Sequence, residues 1–125
     1  MNAVAFVPLT LAGFEAIPVV TAGALELSLN GNADMTVSAG LKGYLKDFDN
    51  EAQRSGVRVV HVRLGELYFL SSSCLQALAG WLLLVASRSA DTRYQVSFRT
   101  HAARDWQRRS LEAIRRVAPK IVEVL

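Results

Sequence analysis

Three consecutive serines, Ser71, Ser72 and Ser73, are the residues of this chain best placed to take part in chemistry. They follow a short apolar, strand-like run and precede a strongly apolar helical pattern, and we call residues 67–78 the serine junction. The first N–H groups of a helix have no partner within the helix, and the helix dipole is positive there, so the position favours negative charge. A serine there can cap the helix, and a phosphoryl group on it would be held without a metal.

Other reactive residue types are sparse and scattered. Cys74 is the single cysteine, which excludes an internal disulfide or a cysteine-based zinc site and fits a reducing, cytoplasmic compartment. We expect it to be a small, buried and inert residue. His61 and His101 have no second ligand at metal spacing. A Gly-rich phosphate loop, a carboxylate pair and a His-positioned nucleophile are all missing, so we predict no enzyme activity, no cofactor and no metal site.

Charge is distributed unevenly along the chain. The first 53 residues hold six acids and two bases, whereas the remaining residues hold five acids and twelve bases. Four arginines repeat at a spacing of seven in the last predicted helix, where they could form a phosphate-binding stripe. No aromatic side chain interleaves with them, so a solvated helix face is favoured, with an acidic protein as the better functional alternative to nucleic acid. These arginines are Arg108, Arg109, Arg115 and Arg116.

Hydrophobic periodicity predicts alternating strands and helices. The turn Asn30-Gly31-Asn32 is expected to end the second strand, and Thr36 or Ser38 to cap the first helix. The predicted elements are strands at about 14–20 and 24–29, a helix to about 54, a central strand at 57–64, a helix at 72–88, a strand at 93–99, a helix at 105–117 and a short edge strand at 121–125.

Each predicted helix has an expected buried side. In the second helix the apolar residues cover most sides, so Trp81 is expected to be partly exposed, and the apolar run 74–86 is too short to span a bilayer. In the first helix the apolar stripe comprises Leu41, Tyr44, Leu45 and Phe48, and the water-facing residues comprise Lys42, Lys46, Asp47, Asp49 and Glu51. In the last helix the buried side comprises Trp106, Ser110, Ala113, Ile114 and Val117.

This order predicts one α/β domain over residues 1–125, with a core of roughly 14–118. The element order is β-β-α-β-α-β-α, with a possible final strand. It corresponds to a mixed sheet of four to five strands with three or four helices, because the first two strands should form an antiparallel hairpin and the later ones parallel pairs. The apolar N-terminus has no positive charge and is interrupted by Pro8 and Glu15, so it is not predicted to be a signal peptide.

At the serine junction the sequence resembles the STAS domain, the fold of the anti-sigma factor antagonists. That family has an apolar pair followed by Asp-Ser-Ser-Gly-Leu at the start of its second helix. Here the apolar pair is Phe69-Leu70, and the stretch ALELSLNGNAD resembles the family's second strand and its Gly-containing turn. Two positions differ from the pattern, since Ser71 occupies the aspartate position and Cys74 the glycine position.

The resemblance implies a non-catalytic regulatory module that binds a protein partner, with Ser72 as the phosphoacceptor and Ser71 and Ser73 as alternatives. The implied partner is a serine kinase or anti-sigma-type, ATP-binding regulator, and phosphorylation would release it. The implied contact surface lies at the serine junction and the loop after the second strand. Its residues are Asn30, Asn32, Ser71, Ser72, Ser73, Cys74, Gln76 and Trp81.

Two alternatives without phosphorylation remain open. In one, the serines serve only as a helix cap, since serine is a favoured N-cap residue. The protein would then be an unregulated structural or assembly module that docks on a larger complex, or forms a homodimer, through the apolar helix 74–86.

Overall fold

A computed structural model of the chain describes residues 7–21 and 23–125. The start of the apolar N-terminus, residues 1–6, and Ala22 lie outside the described residues. The strands are β1 (Leu9–Leu11), β2 (Phe14–Thr21), β3 (Ala24–Ala33), β4 (Val59–Arg63), β5 (Leu67–Leu70), β6 (Gln95–Arg99) and β7 (Val122–Val124). The helices are α1 (Ser38–Ser55), α2 (Ser72–Ala86) and α3 (Asp105–Val117), and a 3₁₀ turn (Met35–Val37) precedes α1.

The strands form one mixed sheet, as predicted. Its order is β1-β2-β3-β4-β6-β7, and β5 pairs with β3 beyond the end of β4. The pairs β1–β2 and β2–β3 are antiparallel, and every other pair is parallel. The predicted order is therefore confirmed, with β1 and β5 as two additional short strands.

The helices cover one face of this sheet. Alternate residues of the central strands, such as Val60 and Val62, are buried in one continuous core with α1, α2 and α3. Their sequence neighbours His61 and Arg63 lie on the other face, where Arg63 forms an ion pair with Glu26 at 3.5 Å. The β-branched alternation of this segment thus gives a two-layer sandwich with one polar, open sheet face.

β3 is longer than predicted, because Asn30-Gly31-Asn32 does not end it. The strand continues to Ala33, and its register with β5 shifts between Gly31 and Asn32. Gly31 has a φ of 93°, which glycine adopts readily, and the Asn32 N–H donates to the Gly13 carbonyl at 2.8 Å. The turn residues therefore produce a bulge inside the strand rather than a chain reversal.

The start of α1 also differs from the prediction. Asp34 caps the 3₁₀ turn, since its carboxylate accepts from the Thr36 N–H at 2.9 Å. Val37 is the cap residue of α1 and makes no side-chain capping bond, so neither Thr36 nor Ser38 has the predicted role. The end is as predicted, because Gly56 adopts the left-handed conformation at φ 68°.

Two acids of α1 predicted to face water are buried. Glu51 is paired with Arg54 at 2.6 Å. The Asp49 carboxylate accepts hydrogen bonds from the two terminal guanidinium nitrogens of Arg88 and from the Tyr94 hydroxyl. Helical spacing alone does not reveal these partners, because Arg88 and Tyr94 come from distant parts of the chain.

α3 has its predicted bounds but a different buried side. Its buried residues are Gln107, Leu111 and Ile114, whereas Ala113 and Val117 are exposed. Gln107 was missed because a glutamine in an arginine-rich helix is normally solvated. No helix in the described ranges has the length and apolar character needed to cross a membrane.

Candidate functional site

The three serines of the junction have three different environments. Ser71 is the N-cap of α2, and its hydroxyl oxygen accepts from the Cys74 N–H at 3.2 Å. Its own N–H donates to the Ala33 carbonyl at 2.8 Å, which attaches the cap to the end of β3. The capping role predicted for the triplet therefore belongs to Ser71.

Ser72 is the first residue of α2 and is exposed, whereas Ser73 is half-buried and faces a groove between α1 and α2. The sequence of three identical residues thus provides one cap, one exposed hydroxyl and one groove-lining hydroxyl. A hydroxyl at the position of Ser72 lies where the helix dipole favours an anion.

Cys74 is fully buried beneath the first turn of α2. Its thiol donates to the Asp34 carbonyl at 3.3 Å, and burial raises its pKa. The side chain is thus buried as predicted and does not form part of the surface around the serines, and a raised pKa disfavours the reactive thiolate.

The two asparagines predicted at the contact surface separate in space. Asn32 is exposed and lies opposite Phe69 in the β3–β5 register, beside the serine junction. Asn30 donates to the Glu15 carboxylate at 3.3 Å and lines a depression with Tyr68 on β5. Asn32 therefore lies at the junction, whereas Asn30 is engaged with β2.

Two aromatic residues at the junction were not among the predicted contact residues. Tyr68 is half-exposed, its hydroxyl donates to Glu66 at 2.6 Å, and Arg104 lies 4.7 Å above its ring. Phe69, predicted as part of an apolar pair, is 48% exposed. An exposed aromatic beside Ser72 has the character of an interface anchor. Strand alternation would have identified Tyr68 as exposed, because its neighbour Leu67 is buried. It would have placed Phe69 on the buried side with Leu67, so the exposure of Phe69 has no signal in the sequence.

A buried glutamine fixes the approach to the junction. The side-chain amide of Gln107 donates to the carbonyls of Leu64 and Leu67, both at 2.9 Å. Its oxygen accepts from the His101 N–H at 2.8 Å. Because these bonds join α3 to the turn between β4 and β5, they hold the strand that leads into the serines.

The groove between α1 and α2 begins at the serine junction and has a volume of about 750 Å³. Gln76 is exposed and lines it. Trp81 also lines it but is only 5% exposed, so it forms the floor rather than the partly exposed anchor predicted. The remaining lining residues are Ser38, Ala39, Lys42, Gly43, Leu45, Lys46, Ser73, Ala77, Gly80 and Leu84.

The described residues contain no group of three His, Cys, Asp or Glu side chains able to hold a metal. His101 accepts from the Ala103 N–H at 3.0 Å through Nδ1. His61 pairs in register with Ser97 on the open sheet face, and its Nδ1 and the Ser97 hydroxyl are buried without a partner among the described residues.

The arginine face of α3 is exposed. Arg108, Arg109, Arg115 and Arg116 are exposed. Arg115 pairs with Glu112 one turn earlier at 2.7 Å, as expected for a solvated helix face.

Comparison with solved structures shows a similarity over most of the chain. An anti-sigma factor antagonist from Mycobacterium paratuberculosis aligns with a TM-score of 0.60 at 18% sequence identity. The alignment covers 91% of this chain and 88% of that chain. No protein-family model and no curated protein sequence matches the chain. The chain therefore has the fold of that antagonist, and the STAS-like fold predicted from the serine junction is confirmed.

Proposed function

We propose that this protein is a non-catalytic, cytoplasmic regulatory module that binds a protein partner at the serine junction. Phosphorylation of Ser72 switches the binding. The partner is a serine kinase or related ATP-binding regulator of the anti-sigma type. Support comes from the fold shared with a protein described as an anti-sigma factor antagonist, although that likeness bears on the fold alone.

One observation carries the proposal: Ser72 is exposed at the first position of α2, while Ser71 supplies the cap. The hydroxyl of Ser72 can therefore accept a phosphoryl group without loss of the bond that starts the helix. Phe69, three residues before Ser72 in the chain, and its register partner Asn32 are also exposed, so the segment that leads into Ser72 is open to a partner.

A phosphoryl group at this position has opposite effects on folding and on binding. It adds about −1.5 to −2 charges at pH 7, which the N-terminus of α2 accommodates. The same charge must lose its water when a partner docks, and that desolvation opposes binding. The modification thus releases a partner while leaving the domain folded.

The test is incubation of the purified chain with candidate serine kinases and ATP, followed by phosphate-affinity electrophoresis and peptide mass spectrometry. We expect one phosphate, located on Ser72, and no shift in the S72A variant. Partner binding by S72D should be at least tenfold weaker than that of the unmodified chain. The S73A variant is the matched control, because it removes an adjacent hydroxyl and should still be phosphorylated.

Phosphate on Ser71 or Ser73 alone, or a partner that binds S72D as tightly as the unmodified chain, contradicts the proposal.

The second candidate is an assembly module that docks through α2. It is favoured by Leu83 and Leu84, which are 49% and 48% exposed. A homodimer that the charge-bearing variant L83E/L84E dissociates, together with no effect of S72D, would support this candidate.

A further inference from the structure

We infer that the groove between α1 and α2 binds an acidic amphipathic helix of a protein partner. The inference deepens the proposed function, on which it rests for the presence of a protein partner. It adds the chemistry of the occupant and the way in which the serine junction controls it.

The shape and polarity of the groove fit a helix laid between two helices. Its walls are the small residues Ala39 and Ala77, its floor is Trp81, and Leu84 stands half-exposed at one end. The volume of about 750 Å³ accommodates several apolar side chains of one helix face.

The charges around the groove select an acidic occupant. Lys42 and Lys46, one turn apart on α1, are the charged residues among those that line it. Both are exposed, and neither belongs to an ion pair formed by the described residues. An acidic helix face beside the apolar one would meet both ammonium groups without a competing carboxylate in the lining.

Two glycines in the groove wall are not explained by the fold. Gly43 on α1 and Gly80 on α2 lie inside helices, where glycine is unfavourable, and a Cβ on either would have no atom within 4 Å. By contrast, a Cβ on Gly40 would lie 2.9 Å from Leu11 Cδ1. The packing of the domain therefore accounts for Gly40 but not for the other two, which let a docked backbone approach closely.

A second copy of this chain is a poorer occupant. In a two-fold dimer through the groove the same patch meets itself, which brings the lysines of both copies into one interface. Like charges across an interface oppose association. An acidic helix from another protein avoids this repulsion.

The position of the serines links the groove to the switch. Ser73 lines the groove, and Ser72 precedes it on the exposed side of α2. A phosphoryl group on Ser72 therefore adds negative charge at the mouth of a groove whose lysines attract negative charge. It reduces the attraction for an acidic helix, which gives release a physical cause.

The probe is a synthetic 14-residue helix with leucines at i, i+3, i+4 and i+7 and glutamates at the exposed positions. Its comparators are the same peptide with lysines for glutamates, and a scrambled acidic peptide. Binding is followed by anisotropy of the labelled peptide and by fluorescence of the W106F variant, in which Trp81 on the groove floor is the single tryptophan.

We expect the acidic helix to bind at least tenfold tighter than either comparator and to change the Trp81 emission. The K42E/K46E variant should lose at least tenfold in affinity, and G80L should block binding by filling the groove. The matched control is R108E/R109E on α3, which makes the same charge change away from the groove and should keep binding within twofold.

Equal binding of the acidic and scrambled peptides, or no effect of K42E/K46E, overturns the inference. Self-association abolished by K42E/K46E would assign the groove to a second copy and also overturns it. The two proposals fail separately. If S72D weakens binding of the cognate partner but K42E/K46E leaves that binding unchanged, the groove inference fails and the switch stands. If the acidic helix binds but no kinase modifies Ser72, the switch fails.

Discussion

The Asp49 carboxylate and the Tyr94 hydroxyl meet at 2.6 Å inside the domain, where α1 passes the residue before β6. Arg88, just beyond α2, pairs with the same carboxylate, and the Trp81 indole N–H donates to the Tyr94 hydroxyl at 2.9 Å. These bonds join both helices of the groove to the sheet. The floor of the groove is thus fixed by a satisfied polar network rather than by apolar contacts alone.

Removal of the acid from this network should be costly. We expect D49A to lower the free energy of unfolding by about 3–5 kcal/mol, because it leaves Arg88 without its partner in a largely buried position. Urea denaturation followed by circular dichroism measures the change. D47A, on the exposed side of the same helix, is the control and should change stability by less than about 0.5 kcal/mol. A loss of less than about 1 kcal/mol for D49A would contradict the network's role.

Replacement of Gln107 by leucine should destabilise the approach to the serine junction. The variant Q107L removes the donors to the Leu64 and Leu67 carbonyls and the acceptor of the His101 N–H, and we expect a loss of about 2–4 kcal/mol. Hydrogen exchange should accelerate first in β5. The neighbouring variant R108L, at an exposed position, should show neither effect, and equal behaviour of the two variants would disprove the assignment.

Substitution of the cap residue Ser71 should lower the stability more than substitution of the exposed Ser72. S71A removes the acceptor of the Cys74 N–H and should cost about 1 kcal/mol. S72A should change stability by less than about 0.5 kcal/mol, since its side chain is exposed. Thermal unfolding of both variants gives the comparison. A larger loss for S72A than for S71A would reverse the roles assigned to the two hydroxyls.

The bulge in β3 should tolerate no side chain at Gly31. A Cβ there would overlap the Gly13 carbonyl oxygen, and the φ of 93° is unfavourable for alanine. We expect G31A to lose more than about 2 kcal/mol. The contrasting variant G43A lies in an open part of α1 and should gain up to about 1 kcal/mol. Chemical denaturation of both variants tests this difference in sign.

All three tyrosines should ionise late. Burial raises the pKa of Tyr44 to about 12 and also raises that of Tyr94, while the hydrogen bond to Glu66 raises that of Tyr68. Because these pKa values exceed the ordinary value of 10.0 in the folded state, their contribution to stability is complete below pH 10 and is lost as the pH rises further. Absorbance at 295 nm should show less tyrosinate at pH 10 in the folded chain than in 6 M guanidinium, where about half of the tyrosine is ionised. Half ionisation of the folded chain at pH 10 would refute this.

Local sequence patterns predicted the structure correctly wherever the conformation of an element depends on its own residues. Asp105–Val117 was predicted with its observed bounds, and the alternation of Val60 and Val62 identified the central strand. The serine junction likewise predicted a capped helix directly after an apolar run, and it pointed to the fold.

Local patterns failed where a distant partner decides the outcome. Asp49 is buried because Arg88 and Tyr94 reach it from 39 and 45 residues away. Gln107 is buried because its amide donates to the backbone carbonyls at the turn between β4 and β5. The sequence does not reveal the groove for the same reason, since its lining residues come from two separate helices.

Because β5 pairs with only one strand among the described residues, its local opening should require less free energy than unfolding of the whole domain. β5 is bonded to the sheet along one edge, to the last three residues of β3, whereas β3 and β4 are each paired on both sides. Opening of β5 and the first turn of α2 therefore breaks few bonds and costs less than global unfolding. A modifying enzyme that requires an extended substrate can reach the serines through this sub-global opening while the remaining sheet stays intact.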